Sequence, residues 1–128
     1  MLLVELRRAK SYNSRAMNIW GQIGRLSGRT LETLSQRKAF EVVKVTDSEL
    51  ELLLHSTDKW RRVDRKRIEE AWKYLEREGS LTRDQVQKNV SPRSSAYVSA
   101  ILAAVPGVTY TLRPITLHLG RSVRYPLT

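Results

Sequence analysis

His55 and His118 are the only two histidines in this 128-residue chain, and they stand apart from every other group that could share chemistry with them. Each falls on or beside an expected strand, where a lone histidine serves structure far more often than it acts as a base or a ligand. There is no cysteine, which removes disulfides, thiolate metal sites and thiol nucleophiles and fits a reducing cytosol. Glu49 and Glu51, with Lys59 nearby, form the one set that invites an enzyme, because metal-dependent nucleases hold carboxylates and a lysine on neighbouring strands. Glu49 and Glu51 alternate with Leu50, Leu52 and Leu54, and a half-buried strand accounts for that pattern without any chemistry. The sequence has no glycine-rich phosphate loop, no paired histidine ligands and no nucleophile elbow. We therefore expect no catalysis, no cofactor and no metal.

The chemistry that remains is charge. The chain carries 23 Lys and Arg against 13 Asp and Glu, a formal net charge of +10. Residues 1–40 hold eight cations against Glu5 and Glu32, residues 41–79 hold nine against ten acids, and residues 80–128 hold six against Asp84 alone. The excess lies at the two ends around a neutral middle, which favours a polyanion partner over a merely high isoelectric point. The opening MLLVELRRAK has too short an apolar run for a signal peptide, and no later run approaches the roughly 20 residues of a membrane span. A cytoplasmic protein with no membrane partner is the expectation.

The elements that would position these charges follow from periodicity and punctuation. Tyr12, Ala16, Ile19, Trp20, Ile23 and Leu26 recur at spacings of three and four, which predicts an amphipathic helix over residues 12–26 ending at Ser27 and Gly28. Its stripe of Ile19, Trp20, Ile23 and Leu26 packs on the main body or on a partner chain, and is the candidate surface for a homodimer or another protein. From Ala39 to Val63 the period becomes two, with turns at TDSE and HSTDK, which predicts a three-stranded antiparallel meander with one polar face. Asp64 is placed as an N-cap and Glu69 and Glu70 lie in the early turns of a helix that buries Ile68, Ala71, Trp72 and Leu75 and stops at Gly79. Leu81 marks a short strand, Thr82 caps a brief helix, and Ser91 and Pro92 open another that carries Val98, Ile101, Leu102 and Val105 on one face. Val108, Tyr110 and Leu112 then alternate, the chain turns near Arg113 and Pro114, and Ile115, Leu117 and Leu119 complete a β-ribbon.

The order helix, short strand, helix, turn, helix and β-ribbon over Asp64 to Leu119, a little under half of the chain, resembles the winged helix-turn-helix superfamily. The expected fold is thus α+β. It comprises a basic arm and helix (1–38), the meander (39–63), a three-helix module with a β-ribbon wing (64–120) and a basic tail (121–128), all within one compact domain. The resemblance implies double-stranded DNA as partner, with the third helix in the major groove and the wing on the backbone. Carried onto this sequence, it makes Arg93, Ser94, Ser95 and Tyr97 the candidate base contacts, of which Arg93 alone has a bidentate fork for a guanine edge. Arg83, Gln87, Lys88, Ser99, Arg113, Arg121 and Arg124 become the candidate phosphate contacts. Few side chains here read bases, so modest sequence readout is expected, in a regulator or DNA-targeting component. A protein-interaction module that keeps the winged helix only as scaffold is the other reading.

Overall fold

The computed structural model describes residues 19–90 and 93–119. It is a mixed α and β fold with a four-stranded antiparallel sheet, a separate three-stranded sheet and several helices. Helix α1 spans Ile19–Gly24; the expected portion at residues 12–18 lies outside the described residues. Single turns carry the chain on to Leu26, whose amide donates to the Ile23 carbonyl at 2.9 Å. At Gly28 the backbone takes φ of 84°, a value that glycine reaches without steric cost. The Gly28 amide donates to the Val42 carbonyl at 2.6 Å and the Val42 amide returns a bond to the Arg29 carbonyl at 2.9 Å. These two bonds lay the next residues along a free strand edge.

That placement corrects the expected three-stranded meander. Strands β1 (Thr30–Glu32), β2 (Ala39–Val45), β3 (Glu49–Leu54) and β4 (Lys59–Asp64) form one sheet in the order β1-β2-β3-β4. Strand β1 is three residues long, too short for a period of two to declare itself in sequence. A register shift between Val42 and Lys44 returns Val45 to the face of Leu50, its partner across the pair, as a bulge does. Phe40, Val42, Leu50, Leu52 and Val63 thereby point to one side and are buried.

Helix α2 (Arg65–Glu78) follows β4 without a loop. Asp64 occupies the N-cap with β-region dihedrals, but its carboxylate makes no capping bond; the Arg65 amide instead donates to the Ser48 carbonyl at 2.8 Å. Glu69 pairs with Arg65 at 2.9 Å. The helix buries Ile68, Ala71, Trp72 and Leu75 and closes at Gly79, where φ is 83° and the amide donates to the Leu75 carbonyl. An added Cβ at Gly79 would meet nothing within 4 Å, so Gly79→Ala tests backbone conformation alone. It is expected to cost about 1 kcal/mol in urea unfolding.

After β5 (Ser80–Thr82), helix α3 (Arg83–Asn89) opens with a full capping box. The Thr82 hydroxyl accepts from the Gln85 amide at 3.1 Å and the Gln85 carbonyl oxygen of the side chain accepts from the Thr82 amide at 2.9 Å. Thr82→Ala should therefore destabilise the protein by roughly 0.5–2 kcal/mol, read as a lower urea midpoint with an unchanged slope. Helix α4 (Ser95–Ala103) precedes strands β6 (Val108–Thr111) and β7 (Thr116–Leu119). Strand β7 pairs with both β5 and β6, giving the order β5-β7-β6.

One hydrophobic cluster runs from Ile19 to Leu119 and joins α1, both sheets and helices α2, α3 and α4. The amino-terminal stripe belongs to it. Ile19, Trp20, Ile23 and Leu26 are all buried, Ile23 fully so, and the Trp20 indole N–H donates to the Thr46 carbonyl at 2.8 Å. Arg65 lies over the Trp20 ring at 5.4 Å. The expected partner surface is corrected accordingly: these four side chains are buried against the rest of the chain itself. No helix among the described residues is long and apolar enough to cross a membrane.

Candidate nucleic-acid interface

Helix α4 is enclosed. Ser95, Val98, Ser99, Ala100, Ile101 and Leu102 are buried, while Ala96, Tyr97 and Ala103 are partly so. The inner face of the four-stranded sheet supplies the cover: Phe40 meets Tyr97 edge to face with centroids 5.2 Å apart, and Arg61 of β4 lies over the phenol ring at 5.3 Å. The β1–β2 connection, with Thr33 and Leu34, approaches Ala96 and Ser99. A helix held in this way exposes only parts of Ala96, Tyr97 and Ala103, whereas a helix in a major groove reads bases through side chains that reach their edges.

Three expected contacts are corrected by this geometry. Ser94 is 7% exposed, Ser95 4% and Ser99 1%, so none of them reaches a base or a phosphate from the folded chain. Small side chains at these positions let α4 sit close to the elements around it. Tyr97 is half-buried, with Phe40 edge to face against its ring and Arg61 over it. Arg93 is exposed, in the turn that precedes α4, and its carbonyl lies 3.5 Å from the Arg61 guanidinium. Arg121 and Arg124 lie outside the described residues.

The remaining candidates come together elsewhere. The Arg83 amide donates to the Ile115 carbonyl at 3.0 Å, fastening the start of α3 to the base of the β6–β7 turn. Arg83 and Gln87 of α3, Arg113 of that turn and Ser35 of the β1–β2 connection line one open cleft. Asp84 shares it, and its carboxylate is engaged by Lys88 at 3.3 Å, an exposed pair one helical turn apart that contributes little to stability. The Arg83 Nε lies 3.5 Å from the Ser95 hydroxyl.

A second basic group surrounds the α3–α4 connection. Arg67 of α2 donates to the Val90 carbonyl at 2.7 Å, and Arg61 reaches toward the Arg93 carbonyl from the other side. Sequence reasoning missed Arg61, Arg67 and Ser35 as neighbours of this module. Each comes from a distant segment, and no local pattern signals such an approach. The set Glu49, Glu51 and Lys59 is not assembled: Glu49 and Glu51 pair across the sheet with Asp64 and Arg62, whereas Lys59 lies opposite Leu54 on the other face. Among the described residues no three histidines or carboxylates gather in a way that could hold a metal ion. His118 lies 3.3 Å from the Thr111 hydroxyl across the β6–β7 pair, and His55 is exposed in the turn after β3. Compared with protein-family models, curated proteins and solved structures, the chain matches none.

Proposed function

We propose that this chain binds double-stranded DNA through backbone phosphates, with α3 and the β6–β7 turn as the binding face and α4 as a structural helix. The carrying observation is that Arg83 and Arg113, thirty residues apart in sequence, line the same cleft. The order α2, β5, α3, α4, β6, β7 and the strand order β5-β7-β6 support reading this half as a winged helix whose wing is the β6–β7 ribbon. The net charge of +10 supports a polyanion as its partner.

An enclosed α4 makes the binding largely independent of sequence. Phosphate contacts position a protein on a duplex but carry no base information. Mobility shift of a random duplex at two salt concentrations tests this reading directly. Neutralisation of about five phosphates gives a log–log salt slope near about −4.5. Folded protein that shows no shift at low salt overturns the proposal, and a shift indifferent to salt overturns its mechanism.

Arg93 makes a separate test. Were it a guanine reader, Arg93→Ala would erase about 1–3 kcal/mol of discrimination between sites. Because its neighbouring reader positions are buried, the expected result is instead a small loss shared equally by all duplexes, measured by competition between two unrelated sequences.

A further inference from the structure

The four-stranded sheet has two faces of different character. Its inner face carries Phe40, Val42, Leu50 and Leu52, all fully buried. Residues directly opposite one another in an antiparallel pair share a face, and the strand register places Glu41, Leu53 and Trp60 in one row across β2, β3 and β4 on the outer side. The next row is Lys44, Glu51 and Arg62, followed by Glu49 opposite Asp64. Trp60 is 61% exposed, an unusual position for the residue that gains most from burial.

The outer face also has the opposite sign to the chain that bears it. On β2, β3 and β4 four carboxylates, Glu41, Glu49, Glu51 and Asp64, stand against Lys44 and Arg62 there, in a protein of net charge +10; Glu32 of β1, on the same face, is paired with Arg37. Arg62 is already engaged by Glu49 at 3.6 Å. Glu41 and Glu51 have no ion-pair partner among the described residues, and they flank the Leu53–Trp60 pair.

We propose that this face docks a basic protein segment with apolar side chains, which lay onto Leu53 and Trp60 while its lysines or arginines meet Glu41 and Glu51. Aromatic anchors ringed by polar groups carry most of the energy of such interfaces, and complementary charge sets the choice of partner. A symmetric dimer through the same face would bring the carboxylates of one copy against those of the other, which like-charge repulsion disfavours. The site is separate from the α3 and wing face proposed for DNA.

Titration of the full chain, followed by amide and indole NMR shifts, tests the proposal with two ten-residue probes: one alternating lysine and valine, the other alternating glutamate and valine. The lysine peptide is expected to give saturable shifts at Glu41, Leu53 and the Trp60 indole, and the glutamate peptide none at these positions. Trp60→Ser, at an exposed site that leaves the core intact, should weaken binding about tenfold, the loss of a central aromatic anchor. Glu41→Lys with Glu51→Lys should abolish it. No saturable shift at millimolar lysine peptide overturns the proposal, as does equal binding of both peptides. Concentration-dependent sedimentation that Trp60→Ser removes also overturns it, by assigning the face to a second copy of the chain.

Discussion

Replacing Arg83 and Arg113 together by alanine is expected to make the log–log salt slope of DNA binding shallower by about 2, one counterion for each lost phosphate contact. The loss should be the same for every duplex sequence. Both side chains border an open cleft, and neither belongs to the hydrophobic cluster, so the variant should melt close to the parent. The comparison that matters is with Lys44→Ala, a basic residue on the outer face of the four-stranded sheet, which should leave the slope unchanged. Equal effects from the two substitutions would show a diffuse response to net charge and would remove the α3 and wing face as a site.

The second large effect concerns Trp20 and Ile23. Ile23 is fully buried and Trp20 donates its indole hydrogen to Thr46 from within the same cluster. Ile23→Ala alone should cost about 2–5 kcal/mol through lost transfer energy and the cavity left behind, lowering the melting temperature by roughly 10 °C. Serine at both positions adds an unpaired hydroxyl at each and removes an indole, so the loss approaches the whole stability of a small domain. Circular dichroism against temperature reads both results. A double variant that stays folded at the parental melting temperature while a dimer dissociates in sedimentation would place this stripe at an interface after all.

Much of the fold was legible in the chain because local rules acted there without competition. The helix from Arg65 to Glu78 ends where Gly79 permits a left-handed backbone, and the box of Thr82 and Gln85 opens α3 where those residue types stand three apart. The β-ribbon follows from alternation on either side of Arg113 and Pro114. Even so, alternation misjudged its outer strand: Tyr110 and Leu112 are exposed at 39% and 47%, and of the alternating residues there Val108 alone packs against the core.

The candidate site divides along the same line. Its ingredients were visible as an excess of arginine and lysine over residues 80–128, since charge needs no partner to be counted. Which of those residues meet was not. Periodicity assigns Val98, Ile101 and Leu102 to a buried face of α4 but cannot show that the four-stranded sheet packs against Tyr97, so that Ser95, Ser99 and Ala100 are buried as well. That cover depends on β2 bringing Phe40 to Tyr97 and β4 bringing Arg61 to the same ring, contacts between segments more than thirty residues apart. The amphipathic stripe of α1 shows the same limit, because a helix with one apolar face must bury it, and the pattern does not say against what. Sequence alone determined most of the secondary elements, the capping box at Thr82, the stop at Gly79 and the sign of the charge; tertiary packing decided that β1 joins the sheet, that the stripe is core, that α4 is enclosed, and that Arg83 and Arg113 share a cleft. The physical reason is range: capping and periodicity act within a few residues, whereas apolar faces and distant arginines are placed by the chain's closure into a single core.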